Sequence, residues 1–356
     1  MDTFTHMLIG AGTAQLIPQG AQKAETPLPS WQQKAAIGAL AAMFPDLDYL
    51  LFPLDPLAFL AYWHRAHTHS VFLAPFWAWI LTLLWRQYKP SSQQVLLLFW
   101  INLTAILSHI ISDSLTIYGT RWFSPLSDYQ ISWDLLFVVD IYFTLSILLT
   151  LALLILQRHS PYRACACLIP FSYLALVAVF KSTAYYQLPA QKPPPVPQAM
   201  PGILVPQPFS PLYWQVIKVA DNGFYQAYLK LANDSLANTF SQLLPGITFT
   251  HSSYQLPGQL HWRHYPLMPD NPNWRNNAER VWLDEKFTPF RDFTDYPVFY
   301  AYRTQAEKTC VWFSDLRYHW PGVVPAFRFG MCKNANNSWQ VYRMRYLSQE
   351  QVQKLH

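Results

Sequence analysis

Apolar residues come in long runs up to about residue 181, and beyond it they are spread singly among Pro, Tyr, Trp, Asn and charged residues. A helix that crosses the hydrocarbon core needs roughly 17 to 25 mostly apolar residues, and several runs qualify. The clearest is LLFVVDIYFTLSILLTLALLILQ at 135–157, followed by QVLLLFWINLTAILSHIIS at 94–112. Residues 70–87 and 164–180 are good but short, and 3–18 and 35–52 are weaker and read equally as half-buried helices. The pattern predicts a polytopic α-helical membrane domain of four to six helices over 1–181.

After the last run, YYQLPAQKPPPVPQAMPGILVPQPFSP is rich enough in proline to read as an extended linker, placed at 182–211. In LYWQVIKVADNGFYQAYLKL the pattern alternates around Asn222-Gly223, a hairpin signal. Alternating, aromatic-rich runs at 296–303, 309–318, 326–332 and 338–346 extend this to a smaller, mainly β soluble domain over 212–356.

Composition supports the division: 52% of the 356 residues are hydrophobic and only 13% charged. The net charge of +5 comes from scattered Lys and Arg rather than a basic stripe, which argues against a nucleic-acid partner and leaves the lipid bilayer as the expected one. Lys and Arg prefer the cytoplasmic side of a membrane. If all six candidates span, the loops carrying Lys23 and Lys34, Arg86 and Lys89, and Arg158 and Arg163 share one side. Placing them inside puts the N-terminus, loops 53–69 and 113–134, and everything after 181 outside. Arg65 and Arg121 then break the rule on the outer face.

The start lacks the basic region of a secretory signal and is expected to stay in the mature protein. Cys165 and Cys167, in an apolar run, read as ordinary buried thiols. Cys310 and Cys332 either bridge, if that half meets an oxidising compartment, or are two unrelated buried thiols.

The ionisable clusters of the membrane half all fall on the outer side. They are His6; Asp46 and Asp48 in FPDLDYL; His64, Arg65 and His69 in HRAHTHS; His109 and Asp113 in SHIISD; then Arg121, Asp134 and Asp140. His109 and Asp113 are spaced i to i+4, so on a helix both leave one face and can converge on one ion. His64 and His69 would point about 140° apart on a helix, so that motif is expected to be an irregular loop, with Thr68 and Ser70 as N-caps. His67 reads as an exposed bystander.

Imidazole and carboxylate without thiolate suit a catalytic divalent metal, zinc first with manganese or iron as alternatives, in one or more ions. The candidate ligands are His6, Asp46, Asp48, His64, His69, His109 and Asp113, with Arg65 and Arg121 as candidate phosphate clamps. Asp46, Asp48 or Asp140 is the candidate base or orienter, and Asp140 is expected about two turns inside its span. The chemistry expected is a metal-activated water attacking an ester, a phosphoester being the one that two adjacent ions would brace. A transporter using intramembrane His and Asp, or a metal-stabilised scaffold, uses the same residues, but neither explains the two arginines.

His6, PDLD at 45–48, HRAHTHS, HIISD with YGTRWFSP, and WDLLFVVD, in that order, resemble the bacterial membrane-bound metal-dependent hydrolases of the LexA-regulated inner-membrane type. The resemblance covers about the first 150 residues, and PFSPLYWQV at 208–216 resembles a segment of longer members. It implies a metal-dependent hydrolase and no substrate. A weaker similarity, to zinc-dependent phospholipases C with a His-x-x-x-Asp on one helix, maps onto His109 and Asp113 and implies a lipid phosphoester.

Overall fold

A computed structural model describes residues 1–18, 29–85, 91–188, 202–235, 239, 242, 251–305, 308–333, 338–346, 348 and 351–355. Residues 189–201 of the expected linker lie outside the described residues, as do Lys23, Arg86 and Lys89. The chain forms two compact units, Met1–Leu50 with Trp63–Val179, and Leu51–Tyr62 with Phe180–His356.

The helices are α1 (Thr3–Leu16), α2 (Trp31–Met43), α3 (Ala74–Leu84), α4 (Ser92–Asp113), α5 (Ile141–Leu156) and α6 (Leu168–Gln187). Local caps set where several of them start. Ser30 and Ser91 form capping boxes with Gln33 and Gln94, and Asp2 accepts from the Thr5 amide. Capping also corrects one expectation. Asp140 is extended (φ −95°, ψ 106°) and accepts from the Phe143 amide at 2.8 Å, so it is the N-cap of α5 rather than a residue two turns inside a span.

The run 35–52 likewise stops being α-helix at Met43 and continues as a tighter 3-10 segment, Phe44–Leu51, with Pro45 as its second residue. Among the described residues, two helical stretches are long and apolar enough to cross a membrane, Ser92–Asp113 and Arg163–Gln187, while α3 and α5 are shorter apolar helices. α4 lies in the core, with Ile101, Ala105, Ile106, His109 and Ile110 fully buried, whereas α6 shows Leu168, Phe171, Leu176 and Val179 outward. An outward apolar face of this kind suits lipid rather than water. Cys165 is exposed and Cys167 half-buried, so they are not the buried thiols expected: they lie on a turn with an outward apolar face.

α1 and α2 cross at a glycine pair. A Cβ at Gly10 would collide with the Gly38 carbonyl, and one at Gly38 with that of Gly10, so only two glycines permit this approach. The crossing fixes α1, with His6 one turn before Gly10, against the helix that leads into Asp46 and Asp48.

The second unit holds two antiparallel sheets. The first is β1 (Ile203–Pro206), β2 (Tyr213–Ala220), β3 (Gly223–Lys230) and β4 (Arg263–Tyr265), in that order. The second is β5 (Pro297–Gln305), β6 (Lys308–Asp315), β7 (Arg328–Lys333), β8 (Trp339–Met344) and β9 (Val352–Lys354). Ala220 pairs with Gly223, so the hairpin loop is Asp221-Asn222, and Gly223 takes the positive φ of +104°.

Cys310 and Cys332 face each other in register on β6 and β7 and are bridged, which decides between the two readings of this pair. The bridge closes a loop of sequence separation 22. In the chain-entropy view such a loop is worth about 3 kcal/mol. Replacing both cysteines by alanine should lower stability by that amount, and thermal unfolding of the variant should no longer respond to reductant.

His319 is buried and Ser314 Oγ lies 2.8 Å from its Nε2. Burial pushes its pKa down to about 4, with Asp315 opposing the shift and Arg263 and Arg328 adding to it. Protonation therefore favours the unfolded chain: stability is unaffected above pH ~6.5 and falls as pH drops toward 4, by on the order of 3 kcal/mol. The melting temperature of this unit should fall across that window, and His319→Gln should flatten the dependence.

Candidate metal centre

Three elements bring polar side chains together at one end of the apolar helices. The 3-10 segment after α2 presents Asp46, the 3-10 turn His67–His69 presents His69, and the last two turns of α4 present His109 and Asp113. One donor atom from each of these four residues lies within 4.8 Å of all the others. His69 Nε2 is 3.0 Å from His109 Nε2, 3.2 Å from Asp113 Oδ2 and 3.8 Å from Asp46 Oδ1. His109 Nε2 is 3.4 Å from Asp113 Oδ2 and 3.6 Å from Asp46 Oδ1.

Zinc bonds of 2.0–2.1 Å in a tetrahedral set put donors about 3.3 Å apart. The five separations straddle that value, so the donor set fits a small divalent ion. Asp113 Oδ2 supports the fit, because it is fully buried and accepts no hydrogen bond of good geometry, while facing two imidazole nitrogens. An orphaned anionic oxygen in such a place calls for a cation. Sequence reasoning proposed seven ligands, and these four are the ones that share a single centre.

Neighbouring groups orient the rings. His109 Nδ1 lies 2.6 Å from the Ala42 carbonyl oxygen, to which it donates, leaving the Nε2 lone pair directed at the cluster. His69 Nδ1 lies 3.0 Å from Thr68 Oγ1. His6 stacks on His109 with ring centroids 3.6 Å apart, and its Nδ1 and Nε2 meet Ser112 Oγ at 3.2 Å and Asp113 Oδ1 at 3.1 Å. His6 thus touches the cluster through Asp113, whose Oδ1 also contacts the amino group of Met1. Sequence reasoning missed Ala42 and Ser112. A backbone carbonyl leaves no signal in the residue pattern, whereas Ser112 stands one position from Asp113 in HIISD.

His64 and Asp48 form a separate pair beside the four. Asp48 Oδ2 is 3.1 Å from His64 Nδ1, accepts from the Arg65 amide at 3.1 Å, and lies 3.9 Å from His69 Nδ1. Burial lowers the His64 pKa against the opposing pull of Asp48. His67 is exposed, with Nδ1 2.7 Å from Ser124 Oγ.

Arg65 occupies the left-handed region (φ 55°), which turns its side chain inward. Its guanidinium pairs with Asp113 Oδ1 at 2.9 Å, donates to Thr116 Oγ1 at 3.1 Å and lies over the Tyr118 ring. Burial opposes its charge, but the Asp113 and Asp46 carboxylates more than offset this and hold its pKa above the ordinary value. The Arg121 amide donates to the Arg65 carbonyl, and its guanidinium lies 3.7 Å from Asp128 Oδ1. Asp140 is engaged elsewhere, capping α5 and accepting from the Tyr173 hydroxyl at 2.9 Å.

Residues 1–184 match the family described as YdjM inner membrane protein. The chain is also similar to YfhP of Bacillus subtilis (strain 168), described as an uncharacterized protein, at 27% identity over 157 residues. That match takes in 43% of this chain and 46% of the relative, so the chain spans about half the length of the curated relative it matches. No solved structure matches. The likeness to phospholipases C finds no support in these matches.

Proposed function

Because this chain belongs to the YdjM inner membrane protein family, we propose that it is a membrane-bound metal-dependent hydrolase, with its metal held by Asp46, His69, His109 and Asp113. One observation carries the reading: four donor atoms, three of them on fully buried residues, gather within 4.8 Å around an orphaned carboxylate oxygen at one end of apolar helices. When bound there, a divalent ion supplies Lewis-acid polarisation of an ester and lowers the pKa of water. Zinc suits two imidazoles and two carboxylates, and manganese or iron are the alternatives.

The chain's own groups supply the rest. His64, held neutral by burial and oriented through Nδ1 by Asp48, is the group placed to exchange a proton beside the four ligands. In hydrolysis of a phosphoester, water oxygen bonds to phosphorus, the ester P–O bond breaks, and the alcohol leaves with a proton. His64 is assigned the proton taken from the water, which it returns to the departing alkoxide so that the alcohol leaves neutral and the imidazole is restored. Asp46 has the most accessible of the four ligand side chains, which makes its side the entry for substrate.

The inner-membrane location follows from the family. A multi-pass arrangement of four to six spans, with the cluster and second unit in the periplasm, is the topology we assign. The Cys310–Cys332 bridge supports it, since disulfides persist in oxidising compartments.

Elemental analysis of the purified protein beside His69→Ala tests the reading. The parent should carry stoichiometric transition metal and cleave a soluble phosphodiester such as bis-para-nitrophenyl phosphate, and the variant should do neither. A metal-free parent prepared under metal-replete conditions would leave a transporter as the better account.

A further inference from the structure

We infer that the first unit carries a binding groove for one acyl chain of a membrane lipid, which sets that lipid's headgroup linkage at the metal cluster. The inference rests on the hydrolase reading for the chemistry at the groove's end, but not for the groove itself. Helices α1, α4, α5 and α6 enclose a groove of about 320 Å³, within the range of small-molecule sites. Its walls are almost wholly apolar, with Leu8, Phe143, Leu154 and Phe171 among the lining residues.

Two features give the groove a direction and an occupant. Ser112 lines it and lies 3.2 Å from His6 Nδ1, so one end reaches the side chains around Asp113. The opposite wall includes Phe171, which lies on the outward apolar face of α6 and would meet lipid tails rather than water. A ligand that fills it must be apolar along its length and polar at one tip. A lipid acyl chain ending at its ester and headgroup has that form, and burying each methylene is worth about 0.8 kcal/mol.

Gly12 is an independent sign that the space is kept open. A Cβ at Gly12 would meet only Leu154 Cδ1, at 4.0 Å, so neither helix packing nor a positive φ requires glycine there. This differs from Gly10, where the partner backbone does. Glycine inside a helix costs roughly 0.5–1 kcal/mol against alanine. The residue is explained if a side chain would intrude on a bound chain.

The test uses the full chain in vesicles of phosphatidylethanolamine and phosphatidylglycerol, with a phosphatidylglycerol probe bearing a diazirine at mid-chain. Photolabelling should concentrate on the groove-lining Leu8, Leu16, Phe143, Ile147, Leu151 and Leu154, and should be competed by excess unlabelled phosphatidylglycerol. Gly12→Phe should reduce it roughly tenfold, the effect of excluding about two methylenes, while Gly12→Ala should retain most of it. Labelling spread evenly over Leu145, Leu148 and Leu156, or labelling at the groove that Gly12→Phe or competitor leaves unchanged, would overturn the inference. His69→Ala separates the two proposals, because it removes a metal ligand that does not line the groove, and groove labelling should survive it. A parent that labels at the groove yet holds no metal and cleaves no phosphoester would sink the hydrolase reading alone. Diffuse labelling in a metal-loaded, active parent would sink the groove alone.

Discussion

Exchanging one oxygen of Asp113 for an amide, in Asp113→Asn, should empty the metal centre and destabilise the first unit together. The two effects arise at different atoms. Oδ2 faces His69 and His109 at 3.2 and 3.4 Å, where a lone pair meets two imidazole nitrogens. Oδ1 accepts the Arg65 guanidinium at 2.9 Å and is approached by His6 Nε2 at 3.1 Å. Asparagine has nearly the same volume, so no cavity forms, but the negative charge that both sides need is gone. Loss of an outer-shell partner typically costs roughly 10–100-fold in metal affinity, and loss of a direct ligand should exceed that. Leaving a buried cation without its anion should cost about 3–5 kcal/mol. Metal content after dialysis against defined zinc, read beside the melting temperature, checks both. An Asn variant that keeps a full metal complement would remove Asp113 from the ligand set.

The parts of this centre that the sequence made legible are those where geometry is fixed by helix register. His109 and Asp113, four apart in an uninterrupted apolar helix, had to share a face, and their Nε2 and Oδ2 lie 3.4 Å apart. PDLD and HRAHTHS were legible as breaks, from the proline and from a spacing no helix accommodates. Which of their side chains reach the centre was not. His64 and His69 differ only in what lies between them, and the left-handed turn at Arg65 sends one toward Asp48 and the other toward Asp113. Nothing in residue type encodes that turn, since arginine is not a residue that prefers it.

Asp140 was misplaced for a related reason. Hydropathy averages over a window, so a cap next to a 16-residue apolar helix reads as a charge inside it. The same averaging ended the last apolar run at residue 180, while the helix continues through FKSTAYYQ to Gln187. For the β half, alternation located β5 to β8 well. The pairing that joins Cys310 to Cys332 depends on register, which alternation does not set.

Arg65→Met should destabilise the first unit by about 3–5 kcal/mol, because it removes the cation beside a buried carboxylate, while leaving all four metal ligands in place. The residue stands out in the sequence as a basic exception on the outer face, where a phosphate clamp is the natural reading. In the structure its guanidinium is spent on Asp113, Thr116 and the Gly119 carbonyl, at 2.9, 3.1 and 3.4 Å, and the residue is only 5% exposed. That makes it a positioning residue, one that holds Asp113 Oδ1 so that Oδ2 faces the two imidazoles. Two measurements separate the roles. For a positioning residue, bound metal takes over part of the neutralisation of Asp113, so the stability gap between Arg65→Met and the parent should narrow when both are saturated with zinc, whereas linkage at 100 times the dissociation constant gives either protein about 2.7 kcal/mol. A loss concentrated in kcat rather than KM should accompany it. For a clamp, stability would be unchanged and KM for a phosphodiester would rise, with Arg65→Lys recovering part of it. An Arg65→Met protein as stable as the parent, with only KM altered, would return the residue to the substrate.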